Sequence, residues 1–200
     1  MIEIITASTN SHKIDEMNNI AGASAICNFT AMSRLNNYPK DIIEDGNTFK
    51  ENALIKAKAL TEYTDKPIIA DDSGLVIDAL NGEPGIFSAR YHGLESDDEK
   101  NRLILELLKD VAEKERTARF VCLLAFIDSK RNTHFFEGTC EGMISKKIIG
   151  ENGFGYDPIF YVSEYKTTMA NVAPETKNRI SHRALALQKF LEFIKTMVQI

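Results

Sequence analysis

Hydrophobic and polar positions fall into blocks with one of two periods along this chain. Ile2-Glu3-Ile4-Ile5-Thr6 alternates and is rich in β-branched residues, which predicts a strand, and the small polar run from Ala7 to Ser11 predicts a turn after it. Ile14, Met17 and Ile20 then recur at the spacing of one helix face, with Asn10 or Ser11 placed to cap the first turn. Thr48-Phe49-Lys50-Glu51 fits a capping box, and Phe49, Ala53, Ala57 and Leu60 continue from it as a buried stripe. Pro67 to Ala70 predicts a short buried strand, ended by the polar turn Asp71-Asp72-Ser73-Gly74. Ser96-Asp97-Asp98-Glu99 is a second capping box, leading into a helix with Leu103, Leu107, Leu108 and Val111 inside. Arg119 to Asp128 is apolar on both faces, as a central strand is, and Thr133 to Cys140 and Met143 to Ile149 predict a further pair. A long amphipathic helix begins at Ser181, with Ala184, Leu187, Leu191, Ile194 and Val198 as its inner stripe. Strands and helices intermix, without repeats or linkers. The pattern predicts an α/β fold with a mixed sheet, residues 1–200 forming a single domain or one tightly joined two-lobed unit.

Composition narrows the possibilities. The chain has 200 residues, 44% of them hydrophobic, and one of this length buries roughly 70% of its unfolded surface, so its core needs no metal or disulfide staple. Cys27, Cys122 and Cys140 are odd in number and widely spaced, with no C-x-x-C pair, which argues against a disulfide framework and predicts a reducing compartment, the cytoplasm. The balance of 24 basic and 29 acidic residues gives a net charge of −5, and no run of Lys and Arg stands out. Binding to a nucleic acid polymer rests on clustered cations and is disfavoured. The longest apolar run, Phe120 to Ile127, falls far short of the ~20 residues that span a membrane, and the first residues lack a signal-peptide pattern.

Several segments carry candidate chemistry. A turn rich in hydroxyl and amide groups, Thr6 to Lys13, lies between strand and helix, where unpaired N–H groups and the helix dipole suit a phosphate, although no Walker A pattern is present. Glu44 precedes the helix that Thr48 caps, and Lys56 lies two turns along it, a pairing suited to a cation and an anion. Asp71 and Asp72 follow an apolar strand, where α/β proteins place functional groups, and adjacent strand residues point to opposite faces. An oxygen-only ligand set of this kind suits Mg²⁺. Asp72-Ser73-Gly74 also spells the D-[ST]-G of aspartic proteases, but no second copy exists to complete a dyad. Gly153-Phe154-Gly155-Tyr156-Asp157-Pro158 offers a flat aromatic face for a base, and the segment from Lys177 to Arg183 puts two hydrogen-bond donors, His182 and Arg183, in the first turn of the last helix.

Taken in order, Ser8-Thr9-Asn10-x-x-Lys13, Glu44-x-Gly46-x-Thr48-Phe49-x-Glu51-Asn52-Ala53-x-x-Lys56-Ala57, Ala70-Asp71-Asp72-Ser73-Gly74-Leu75, Pro84-Gly85-x-x-Ser88-Ala89-Arg90-Tyr91, the Gly153 to Phe160 segment and Lys177-Asn178-x-x-Ser181-His182-Arg183 closely resemble the inosine triphosphate pyrophosphatase family. The resemblance spans Thr6 to Arg183. It implies a two-lobed α/β fold with a long mixed sheet flanked by helices, an active-site cleft between the lobes, a homodimer and dependence on Mg²⁺. The implied reaction is hydrolysis of ITP, dITP and XTP between the α and β phosphates, giving the nucleoside monophosphate and pyrophosphate. By matching position, Ser8, Thr9, Asn10 and Lys13 bind the phosphates with Lys56. Glu44 and Asp72 hold metal, and Asp72 is also the proton acceptor. Ser73 contacts the substrate, Phe154, Gly155, Tyr156 and Asp157 line the base pocket, and Lys177, His182 and Arg183 read the base. Thr9 departs from the family, which often has Gly there.

Base choice then turns on hydrogen-bond polarity. Hypoxanthine and xanthine present an acceptor at O6 where adenine presents an amino donor, so donors on the protein face donor against donor with ATP. Each buried polar group left unpaired costs roughly 1–3 kcal/mol, enough for useful discrimination. Guanine shares O6, and its rejection must act at the 2-amino group. Two other readings of the same segments are a Maf-like pyrophosphatase acting on other nucleotides and a non-catalytic nucleotide-binding module.

Overall fold

The computed structural model describes residues 1–22 and 26–198, with side chains to residue 197. Strand β1 (Ile2–Thr6) leads into helix α1 (Ser11–Gly22), whose first turn is capped by Asn10: its Oδ1 accepts from the Lys13 amide at 3.2 Å. Strand β2 (Cys27–Ala31) follows. Helix α2 (Phe49–Ala59) starts at the expected cap, with Thr48 Oγ1 accepting from the Glu51 amide at 3.1 Å. The reciprocal bond of this box goes to the Asn47 amide, 2.6 Å from Glu51 Oε2, one residue earlier than the standard pattern. Strand β3 (Ile68–Ile77), helix α3 (Asp97–Leu107), strands β4 (Thr117–Ile127), β5 (Thr133–Ile144), β6 (Phe160–Val162) and β7 (Thr167–Thr168), and helices α4 (Pro174–Ile180) and α5 (His182–Val198) complete the regular structure of the described residues, apart from short 3-10 turns.

The strands form one mixed sheet in the order β2-β1-β3-β4-β5-β6-β7. β1 runs parallel to β2 and to β3, with Ile5 beside Thr30 and Ile68, whereas β6 is antiparallel to both β5 and β7. Three sequence expectations are corrected. β3 does not stop at Ala70 but continues through Asp71, Asp72, Ser73 and Gly74, because both carboxylates meet cations and the strand need not turn out to water. Thr133 to Cys140 and Met143 to Ile149 are not two strands: β5 is continuous through Ile144, since Met143 and Ile144 pair with Tyr161 and Phe160 of β6. In α3 the inward face is Lys100, Asn101 and Ile104, followed by Leu108, and Leu107 is 44% exposed, one position off the stripe. His182 and Arg183 open α5, as expected, and Lys177 lies on the separate short helix α4. The side chain of Val198 lies outside the described residues.

The chain divides into two compact units, Met1–Asp72 with Cys122–Gly138 and His182–Ile200, and Ser73–Val121 with Thr139–Ser181. In the first unit, strand alternation sorts side chains into two layers. Ile4, Ile69, Cys122, Leu124 and Phe126 pack with Met17 of α1 and with Leu187, Phe190 and Ile194 of α5. Their strand neighbours Ile5, Ile68, Ala70, Leu123, Ala125 and Ile127 pack instead with Ala53, Ala57 and Leu60 at α2. The second unit has its own core, in which Leu75, Ile77, Ile104, Leu108, Phe120, Tyr156 and Phe160 meet.

Candidate active site

The alternation that sorts the first core also sorts the two aspartates. Asp71 shares its parity with Ile69 and faces the layer of α1 and α5, whereas Asp72 shares its parity with Ala70 and faces α2. Their partners agree. Lys13 of α1 donates to Asp71 Oδ1, Arg183 Nε of α5 donates to Asp71 Oδ2 at 2.9 Å, and Cys122 Sγ lies 3.2 Å from the same oxygen. Arg183 is 1% exposed, and its Nη1 meets Glu16 Oε2 of α1 at 2.5 Å. Burial works against ionisation of Asp71, but the charges and hydrogen bonds of Arg183 and Lys13 together outweigh it and hold the carboxyl well below its ordinary range.

On the α2 side, Lys56 Nζ bridges two carboxylates, at 2.6 Å from Asp72 Oδ1 and 2.8 Å from Glu44 Oε2. Burial works against the charge on this ammonium, and the two carboxylates more than restore it, so its pKa rises. Asp72 is less well compensated. Burial pushes its pKa up to about 6 against the pull of Lys56, and the charge of Glu44 adds to the rise. Asp72 Oδ2 is buried with no hydrogen-bond partner. This pair of carboxylates, joined by an ammonium and with no imidazole or thiol converging on it, has the donor chemistry of a hard cation site, and among the described residues no group of three or more His, Cys, Asp and Glu that could hold a metal ion is formed.

Two further elements build this layer. Ser8, Thr9 and Asn10 form the turn into α1: Ser8 Oγ accepts from the Asn10 amide at 3.1 Å, and Thr9 and Asn10 are exposed. Asn52, buried one turn before Lys56, accepts from the Gly46 amide through Oδ1 at 2.9 Å and so ties down the loop that carries Glu44.

The remaining candidates lie in the second unit, apart from His182, which is buried at the start of α5 in the first. Ser73 directly follows Asp72 on β3 and is half-buried. Gly153 and Gly155 take φ values of 81° and 63°, which turns the aromatic segment back on itself. Asp157 Oδ2 accepts from the Phe154 amide at 3.1 Å and from Lys177 Nζ at 2.6 Å, and Lys177 Nζ lies 5.0 Å from the centre of the Phe154 ring. The Gly155 amide donates to Asp97 at 2.7 Å and its carbonyl accepts from Asn101 at 3.0 Å, so α3 clamps the loop from both sides. Tyr156 is core, its hydroxyl donating to the Ser88 carbonyl at 2.8 Å.

Comparison with known proteins places the chain: the sequence pattern of the Ham1 family matches residues 4–193. The chain belongs to the Ham1 family. It is 50% identical over 192 residues to a dITP/XTP pyrophosphatase of Halalkalibacterium halodurans, covering 94% of this chain and 97% of that one. To a dITP/XTP pyrophosphatase of Desulforamulus reducens it is 43% identical over 199 residues, covering 98% and 97%. Among solved structures, the Ham1 proteins of Staphylococcus aureus and Coxiella burnetii superpose with TM-scores of 0.84 and 0.85 at 40% and 39% identity, covering 98% and 100% of this chain and 99% and 100% of theirs. The family resemblance read from the six sequence segments is borne out.

In this Ham1 family chain the structure thus gathers Lys13 and Arg183 with Asp71, gathers Glu44 and Lys56 with Asp72, and gathers Phe154, Asp157 and Lys177 in the second unit. Sequence reasoning missed Glu16 and Asn52 and left Asp71 without a role. Spacing held a signal for the first two: Glu16 follows Lys13 by one helical turn, and Asn52 precedes Lys56 by one, so each shares a face with an assigned lysine.

Proposed function

We propose that this chain hydrolyses the deaminated purine nucleoside triphosphates ITP, dITP and XTP to the nucleoside monophosphate and pyrophosphate, removing them from the nucleotide pool. The observation that carries the reading is the Glu44–Lys56–Asp72 cluster, in a chain of the Ham1 family whose curated relatives are named dITP/XTP pyrophosphatases. A pool-cleaning enzyme of this kind works on free nucleotides, and the net charge of −5 suits that better than a nucleic acid polymer.

Mg²⁺ fits the donor set. Glu44 and Asp72 are both hard oxygen ligands, Asp72 Oδ2 lacks a hydrogen-bond partner, and one cation, the Lys56 ammonium, already joins the two carboxylates. When bound, the metal draws charge from the phosphate and acidifies water. Asp72, close to the metal it helps to hold, takes the proton of the water that attacks the α phosphorus. The bond from that phosphorus to the bridging oxygen breaks, and Lys13 and Lys56 offset the charge that gathers on the departing pyrophosphate. The Ser8–Asn10 turn offers amide and hydroxyl donors to the phosphates at the start of α1, and Ser73 adds a hydroxyl.

The base falls to Phe154, Gly155, Tyr156, Asp157, Lys177, His182 and Arg183. Phe154 supplies a face, Lys177 sits over that ring, and the cations supply donors suited to O6 of hypoxanthine or xanthine. The same reading carries a homodimer acting in the cytoplasm, a location supported by three buried free thiols.

The test incubates the full chain with Mg²⁺ and ITP, dITP, XTP, GTP or ATP and measures pyrophosphate against orthophosphate. Pyrophosphate should appear with the first three and should vanish when the metal is chelated. Orthophosphate alone, or equal rates on ITP and GTP, overturns the reading.

A further inference from the structure

Four buried or half-buried charges run in sequence through the first unit: Lys13, Asp71, Arg183 and Glu16. They come from three separate elements. α1 supplies Lys13 and Glu16 one turn apart, β3 supplies Asp71, and the first turn of α5 supplies Arg183. The two cations balance the two anions. Only the Lys13 side chain, 21% exposed, reaches solvent to any extent, against 2% for Arg183, 1% for Asp71 and 9% for Glu16.

Stability does not explain such an arrangement. Desolvating four charges costs about what the attraction of their three ion pairs returns, and apolar side chains of similar volume serve a core as well or better. What charges give and apolar groups do not is direction. A guanidinium is a rigid planar fork, and two carboxylates on different elements fix both its position and its plane. An ammonium on a flexible stem gains the same from a fixed acceptor, and its ordering is then complete before a ligand arrives.

We propose that Asp71 and Glu16 are positioning residues for the nucleotide. Asp71 holds the phosphate-binding Lys13 and the base-reading Arg183 on the two oxygens of one carboxylate, and Glu16 fixes the other arm of the Arg183 guanidinium. This rests on the roles given above to Lys13 and Arg183. The geometry makes the two acids unequal. Asp71 touches both ends of the substrate's binding set, whereas Glu16 forms its ion pair with the base-reading end.

The test uses the full chain carrying Asp71→Asn or Glu16→Gln, each close in shape and uncharged. Calorimetry measures two probes, inosine monophosphate for the base end and magnesium pyrophosphate for the phosphate end, beside kcat and KM for ITP. Glu16→Gln should weaken inosine monophosphate about 10- to 100-fold, the scale of a misplacement near 1 Å, and raise KM for ITP with it, while pyrophosphate binding changes less than about twofold. Asp71→Asn should weaken both probes. Should Asp71→Asn fail to fold, Glu16→Asp carries the test, since it keeps the charge and withdraws the carboxylate by one methylene; it too should weaken the monophosphate selectively. Variants that melt earlier but bind both probes as the wild type does, or a Glu16→Gln that weakens both probes equally, overturn the proposal. Failure of the wild type to hydrolyse ITP would instead overturn the function on which it rests.

Discussion

Asp72→Asn keeps the outline of the side chain and removes its charge, and the structure assigns opposite signs to its effects on turnover and on stability. The wild-type carboxyl is 7% exposed, and burial raises its pKa from the usual 3.8 to about 6 despite Lys56. The folded chain therefore holds this proton more tightly than the unfolded chain does. Protons bound in excess by the folded state mean that stability falls as pH rises from about 4 to about 6, and above that range the ionised group imposes its full penalty. The gap between 3.8 and about 6 corresponds to about 3 kcal/mol. The amide forgoes that penalty but puts a donor or acceptor where Oδ2 now has no hydrogen-bond partner, and an unsatisfied buried group costs about 1–3 kcal/mol. The balance is about 0–2 kcal/mol in favour of the variant, a Tm between that of the wild type and about 8 °C higher for a chain of this size. Thermal melts in EDTA at pH 7 and pH 4.5 measure this, and the advantage should shrink at the lower pH. Pyrophosphate release from ITP should fall by at least about 10³-fold, because the amide accepts no proton. A Tm several degrees below wild type at pH 7 would refute the burial argument, and turnover within tenfold of wild type would remove Asp72 as the base.

Two other outcomes follow from packing. Gly138 lies on β5 where an added Cβ would stand 2.1 Å from the His182 carbonyl oxygen and 2.4 Å from the Ala186 amide nitrogen, both backbone atoms that no side-chain rotation can move. Gly138→Ala should therefore cost about 2–3 kcal/mol, read as a Tm about 4–12 °C lower, and an unchanged Tm would show that α5 shifts freely. Burial pushes the Cys27 and Cys140 thiols up to about 11, and Cys122 is enclosed beside Asp71, so the native chain should leave a thiol reagent unreacted at pH 8 and release three equivalents in guanidinium. Rapid labelling of native protein would contradict the enclosed positions.

Most of the candidate site was legible before the fold was known, but its internal wiring was not. Asp72, Glu44 and Lys56 stood out as a carboxylate after a strand, a carboxylate before a helix and a lysine along it, and the structure brings them within hydrogen-bond reach. Arg183 illustrates the other case. From sequence it was a donor at a helix start; in the structure its guanidinium is enclosed by carboxylates that stand 112 and 167 residues away along the chain, distances over which no local pattern carries information. Leu107 and the supposed turn at Asp71 failed for a related reason. A one-position error on a helix, or a charge in a strand, is resolved by what packs against it, and those neighbours are remote.

The sequence by itself determined the caps, the stripes of α1, α2 and α5, the first and the central strand and the class of chemistry, since these depend on residues within a turn or two of one another. It also held the alternation that sends Asp71 and Asp72 to opposite faces. Only the tertiary structure decided what each face meets. α1 and α5 cover one side of the first unit and α2 the other, so one aspartate is neutralised by Lys13 and Arg183 and ionises readily, while its neighbour, sharing Lys56 with Glu44, retains an unpartnered oxygen and a raised pKa. Identical side chains, adjacent in sequence, acquire different proton affinities because burial and charge are properties of the packed neighbourhood rather than of the residue.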